Sequence, residues 1–208
     1  MSKAAELARL IGDGTFGTGG AEDKKIVFDG NAQDFHIGLD DSEDKLTIGL
    51  GSTVGTTSHM TFDSTGAILK PLQPAFLAFA SANSNLAINT AHTVGYGTEV
   101  YDQNGDFSSN IFTAPVTGRY LLHANLYSTT IVNNATYCWF YIETSNRTYS
   151  SIVDPGTFSE SSSYHSLHVS VVADMDASDT AKTIIYQSGG SALSDLGGGT
   201  FFSGCLLA

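Results

Sequence analysis

The chain has 208 residues, of which 41% are hydrophobic and 14% charged, with 22 glycines, 9 tyrosines and 12 phenylalanines. Nine Lys and Arg against 21 Asp and Glu give a formal net charge of −12. That balance argues against sequence-independent binding of nucleic acid, which needs cations to displace counterions from phosphates, and an anionic membrane surface would repel the chain for the same reason. No apolar run approaches the roughly 20 residues of a membrane-spanning helix. Aromatic and β-branched content is too high, and charge density too low, for a disordered chain, so a soluble, acidic, β-rich globular protein is expected.

In chain order, residues 1–23 come first. Leu7, Leu10 and Ile11 stand at helical spacing and predict a short amphipathic helix, too short to be stable alone. Such a segment either orders on a partner or frays. It runs into the glycine-rich joint Gly12–Gly20. The opening residues lack the apolar stretch and small-residue cleavage site of a secretory signal. Cys138 and Cys205, the two cysteines, are therefore expected to be buried reduced thiols. No CxxC or His/Cys spacing points to zinc.

Residues 24–70 carry short strand-like units, Ile26–Phe28, Phe35–Leu39, Leu46–Leu50 and Met60–Phe62, separated by Gly and Asp turns. Ile37-Gly-Leu39 recurs as Ile48-Gly-Leu50. Strands this short leave edges exposed in one chain, so pairing with identical chains, as in an intertwined stem, is expected. Residues 71–208 alternate with period two: Phe76/Ala78/Ala80, Tyr120/Leu122/Ala124/Leu126, Tyr137/Trp139/Tyr141, Leu167/Val169/Val171, and again from Phe202 to Leu207. Gly-, Asn-, Ser- and Asp-rich connections separate these runs, and the pattern predicts an all-β sandwich or jelly roll.

Pro74-Ala-Phe-Leu-Ala-Phe79, Ile111-Phe-Thr-Ala-Pro-Val-Thr-Gly-Arg-Tyr120 and the closing Thr200-Phe-Phe-Ser-Gly-Cys-Leu-Leu207 together resemble the C1q-like domain. That domain is a jelly roll shared with the tumour-necrosis-factor ligands. The resemblance covers about residues 72–208 and implies a homotrimeric head. Leu122 and Ala124 depart from it, standing where that family commonly has aromatics. Lys25–Asp41 with Leu46–Ser52 resembles the stem segments of bacteriophage tail-fibre and virion proteins. Together the two resemblances imply a bacteriophage virion protein assembled in the host cytoplasm.

Phe76, Phe112, Pro115, Gly118, Tyr120, Phe202 and Gly204 carry the C1q-like signature, and their chemistry is structural. Pro115 suits a corner because it cannot donate to a ladder. Gly118 suits a turn with positive φ. The rings fill the sandwich, with a hydroxyl left on Tyr120 for a polar partner. Asp174, Asp176 and Asp179 form an acidic group able to offer oxygens to calcium, as does the turn Asp40, Asp41, Glu43, Asp44, which lacks the spacing of a calcium loop. No other cofactor is implied. His36, His59, His92, His123, His165 and His168 are scattered, and no nucleophile elbow, P-loop or Cys/His dyad is present, so no catalytic residue is assigned and the chain is not expected to be an enzyme.

What remains is recognition. The Ser-, Asn-, Tyr- and Gly-rich segments Ser128–Thr136, Glu143–Tyr164 and Gln187–Gly199 offer adaptable hydrogen bonds and aromatic surface to a host-surface glycan or protein receptor. The sequence therefore reads as a trimeric virion fibre or spike that attaches to other virion proteins through residues 1–23, neither inserts in a membrane nor binds nucleic acid, and presents residues 71–208 as its head. A structural capsid, head-decoration or tail protein without receptor binding is the alternative. A calcium-dependent glycan-processing enzyme, with paired carboxylates, is a further one.

Overall fold

The computed structural model of the chain describes Ala5 and residues 15–208 apart from 82, 192 and 193. The expected N-terminal helix falls on residues 1–11, which apart from Ala5 lie outside the described residues. The chain divides into two compact units, Met1–Leu72 and Gln73–Ala208.

In the first unit β1 (Lys24–Phe28), β2 (Phe35–Asp40), β3 (Lys45–Leu50), β4 (Ser58–Phe62) and β5 (Ile68–Leu69) pair in chain order as one antiparallel meander. The ladders close within the chain. The edges that sequence expectation assigned to partner chains are thus mostly satisfied internally, with the outer sides of β1 and β5 left unpaired among the described residues. A face is left open instead. Period-two alternation puts His36, Gly38 and Asp40 on one side of β2 and Phe35, Ile37 and Leu39 on the other. Antiparallel register then lines up Phe28, Phe35 and Leu50; Ile26, Ile37, Ile48 and Met60; and Leu39, Leu46, Phe62 and Ile68.

The polar side of this sheet is the covered one. The loop 51–57 folds back across it and buries Val54 against Gly38, where a Cβ would come within 2.8 Å of both Val54 Cγ2 and the Lys24 carbonyl oxygen. A backbone oxygen cannot give way as a flexible side chain can, so glycine is required here. His36 is fully buried on this side, with Nδ1 2.9 Å from the Gly51 carbonyl oxygen.

The β4–β5 turn is held by Asp63, whose carboxylate accepts from the Thr65 and Ala67 amides and the Thr65 hydroxyl. These bonds, the Thr65 hydroxyl first, hold its pKa below the usual value. A depressed carboxylate stabilises the fold above its unfolded-state pKa and loses that contribution as pH falls through the folded value. The turn is therefore expected to loosen below about pH 4, seen as faster amide exchange at Thr65 and Ala67. Asp63→Asn should flatten that pH dependence.

The second unit contains β6 (Ala75–Ala80), β7 (Asn83–Leu86), β8 (His92–Thr93), β9 (Tyr96–Asp102), β10 (Phe107–Ser108), β11 (Ile111–Thr113), β12 (Gly118–Thr130), β13 (Ala135–Thr144), β14 (Thr148–Val153), β15 (His165–Met175), β16 (Thr180–Gly189), β17 (Ser194–Leu196) and β18 (Phe201–Leu206). One sheet runs β15-β12-β18-β6-β9, with β17 and β7 continuing beside the far end of β12. The other runs β10-β11-β16-β13-β14, with β8 on β16. Its principal strands nest: β6 pairs with β18, β11 with β16, β12 with β15 and β13 with β14. First with last, second with next-to-last, and so inward is the wrapping of a jelly roll, so the expected fold class is met.

Between the sheets Phe76, Phe112, Tyr120, Leu122, Phe140 and Phe202 are all buried. Phe76 stacks on Phe107 and on Phe112, each at 4.8 Å between ring centroids, and meets Phe202 edge-on at 5.0 Å. One expected stripe is reversed. In β13 the core takes Cys138, Phe140 and Ile142, whereas Tyr137, Trp139 and Tyr141 lie on the outer side of their sheet. Both parities of this strand are apolar, so alternation alone did not choose the inner one.

Candidate functional site

The signature residues form a packed corner. β11 ends in Thr113, Pro115 stands in the turn that follows, and β12 begins at Gly118. The buried Tyr120 ring lies 5.4 Å from that of Phe112, and its hydroxyl donates to the Val116 carbonyl oxygen at 2.7 Å, tying the strand to its own preceding turn. Desolvation of that ring raises the phenol's pKa above its usual value. Tyr120→Phe leaves the Val116 carbonyl without this donor and is expected to cost about 1–2 kcal/mol, checked by the shift of the denaturant midpoint at unchanged slope.

Gly118 is not a positive-φ residue, contrary to expectation. Its glycine is required by contact. A Cβ there would stand 2.7 Å from the Ala208 carbonyl oxygen and 2.7 Å from Leu206 Cδ1, because the chain end lies against the start of β12. Gly204 has the same logic in the core, where a Cβ would meet Phe76 Cε1 at 2.7 Å and Leu122 Cδ2 at 2.8 Å. The signature glycines thus make room for the signature rings.

The three expected loop segments do not converge on one site. Strand direction places the turn between β13 and β14 at one end of the sandwich and the rest at the other. At the latter end Ile131 bridges to Ser162, the Asn133 amide donates to Ser161 Oγ, the Ser191 amide to Asn134 Oδ1, and the Asn85 amide to Asp195 Oδ1. Tyr164, 70% exposed, stacks on Tyr127 at 6.0 Å. An open cleft of about 490 Å³ runs along Phe158 and residues 160–165. This end is a continuous hydroxyl- and amide-rich surface with an accessible aromatic ring.

The opposite end holds Asp174, Asp176 and Asp179. Asp174 pairs with Arg147 at 3.0 Å. Asp179 Oδ2 accepts from Asn146 Nδ2 and from the Asp176 amide, each at 2.8 Å. Thr117 Oγ1 stands 3.4 Å from Asp176 Oδ1. These carboxylates pin the β15–β16 turn to its neighbours, and the exposed ion pair adds little stability by itself. Among the described residues no three His, Cys, Asp or Glu side chains gather as a metal-holding group.

The feature that sequence reading missed is the outer face of the β15-β12-β18-β6-β9 sheet. Opposed residues form rows: Val172, Leu121, Cys205 and Ala75; Ser170, His123, Ser203, Leu77 and Tyr101; His168, Asn125, Phe201 and Phe79. These rows contain no Asp, Glu, Lys or Arg. Val172 and Tyr101 are 52% and 49% exposed, and Phe201 lies 5.8 Å from Phe79 and 5.2 Å from His123. The signal was available in the odd positions of the same alternating runs, Leu77/Phe79, Leu121/His123 and Phe201/Cys205, which are apolar or aromatic where a solvated face would be charged. Both cysteines are free. Cys138 is buried as expected, and desolvation pushes its thiol up to about 11. Cys205 is only half-buried, on the outer face.

No protein-family model and no curated protein sequence matches the chain. Among solved structures it is similar to the globular domain of zebrafish complement 1qA, with 17% identity, a TM-score of 0.45 and coverage of 65% of this chain and 98% of that one. It is also similar to murine APRIL crystallised at pH 8.0, with 18% identity, a TM-score of 0.47 and coverage of 65% and 99%. The jelly roll itself is established by the nested strand pairing.

Proposed function

We propose that the chain is a homotrimeric virion fibre or spike protein of a bacteriophage, non-enzymatic, in which residues 1–23 attach to other virion proteins, residues 24–70 form a stem and the jelly roll is the recognition head. The observation that carries the trimer is the run of three uncharged rows on the outer face of the β15-β12-β18-β6-β9 sheet, bounded by the charged pair Arg119 and Asp174, with Leu121, Val172 and Tyr101 all at least 36% exposed. An uncharged sheet face bearing exposed Leu, Val and Tyr is the kind of surface that marks an interaction site, and obligate homo-oligomers bury such faces against their own copies. The recognition role is supported by the end of the sandwich bearing Tyr164, Asn133, Asn134 and Ser161–Ser163, where loops rich in small polar residues surround an exposed ring. The likeness of residues 25–52 to phage stem segments supports the virion setting.

Mass in solution tests assembly. Three chains per particle at micromolar concentration are expected, and a stable monomer sinks the proposal. Recognition is tested separately by host adsorption of particles whose fibre lacks residues 73–208. Adsorption should fall; unchanged adsorption leaves a structural virion protein without a receptor.

A further inference from the structure

We propose that the open apolar face of the β1–β5 sheet is covered by the same face of sister chains, three copies forming the walls of a dry triangular prism. This rests on the trimeric reading of the head. The face presents Ile26, Phe28, Phe35, Ile37, Leu39, Leu46 and Ile68 at between 38% and 58% exposure, with Ile48, Met60 and Phe62 among them. Lys24 is the only charged side chain in these rows, at the β1 edge, and it pairs with Glu22. A charged polymer has nothing to bind there. The opposite side is already closed by the chain's own loop at Val54, so one face alone awaits an occupant.

Three observations select a sister chain. Strands about 4.8 Å apart make five strands about 19 Å wide, and three rows of paired residues make the face on the order of 300 Å². That is as large as the biggest patch a typical monomer leaves exposed, and such patches commonly mark an interaction site. With one strand spacing left at each corner between β5 of one wall and β1 of the next, an equilateral prism has walls about 24 Å wide and its axis about 7 Å from each wall, a little more than half of the ~10 Å at which sheets pack face to face. Ile37, Ile48 and Met60, in the middle row of the three central strands, would thus reach towards that axis. Finally, once three heads associate, each stem sheet meets its sisters at an effective concentration in the millimolar range, so the nearest apolar surface to each open face is an identical one.

The central residue of the central strand is Ile48, which the prism brings nearest the axis. The test uses the full chain carrying Cys205→Ser and Ile48→Cys, with Ile37→Cys as a second position in case the first disturbs folding. Treatment with a short bis-maleimide is expected to give covalent dimers on a denaturing gel, the most that one reactive thiol per chain allows with Cys138 buried. Lys25→Cys, on the opposite side of the sheet, should stay single. If the protein is trimeric by mass but both face thiols label freely with a bulky maleimide and do not cross-link, the prism is wrong while the trimeric head stands. Thiols that are shielded yet never cross-link mean a different occupant and also overturn it. A monomeric mass removes both readings.

Discussion

Phe76→Ala is expected to lower stability by about 3–5 kcal/mol, the largest loss for a single truncation in the jelly roll. Phe76 belongs to β6, yet its ring touches Phe107, Phe112 and Phe202, which lie on β10, β11 and β18. It therefore joins the two sheets through side chains brought from both ends of the sequence, and the missing Cβ of Gly204 admits it. Truncation removes the transfer energy of the ring and leaves a cavity bounded by three other rings that cannot collapse onto it. Denaturant unfolding at fixed protein concentration measures the shift, since assembly would otherwise make the midpoint concentration-dependent. Leu77→Ala, one residue along and pointing outward, should leave the folding of the single chain nearly unchanged. Equal losses for the two variants would contradict the inner and outer assignment of β6.

Leu121→Glu is expected to convert the assembled protein to monomers at micromolar concentration with its far-ultraviolet dichroism intact. Leu121 sits on the outer face between Val172 and Cys205, where the proposed head contact would gather three copies. Three carboxylates brought together in an apolar contact repel one another and lose their hydration, an effect of several kcal/mol. In a single chain the same carboxylate faces water at little cost. Sedimentation of the variant beside the parent protein gives the answer. A variant that stays trimeric places the contact elsewhere on the molecule.

The β2 and β3 strands were legible because Ile-Gly-Leu between Asp-rich turns has few other readings, and β6, β12 and β15 because their inner positions recur with period two over three or four repeats. The C1q-like signature was legible as a run of residues, but the reasons for its glycines were not. Gly118 answers to the Ala208 carbonyl oxygen and Gly204 to the Phe76 ring, contacts across 90 and 128 positions of sequence that no local pattern contains. The acidic group at Asp174, Asp176 and Asp179 was legible as charge. That Asn146, Arg147 and Thr117 take up those oxygens depends on the β13–β14 and β11–β12 turns arriving at the same end.

By itself the sequence determined the all-β class and the short strands around Ile26–Phe28, Phe35–Leu39, Leu46–Leu50 and Met60–Phe62, because alternation and turn chemistry act over a few neighbouring residues. Only the tertiary structure decided which parity of each strand faces inward. β13 offers apolar residues on both sides, and β2 keeps its polar side covered and its Phe35-Ile37-Leu39 side open. Burial depends on what another strand or loop brings to the surface, as Val54 does over Gly38, and that encounter is set by chain topology rather than by the pattern of any one segment.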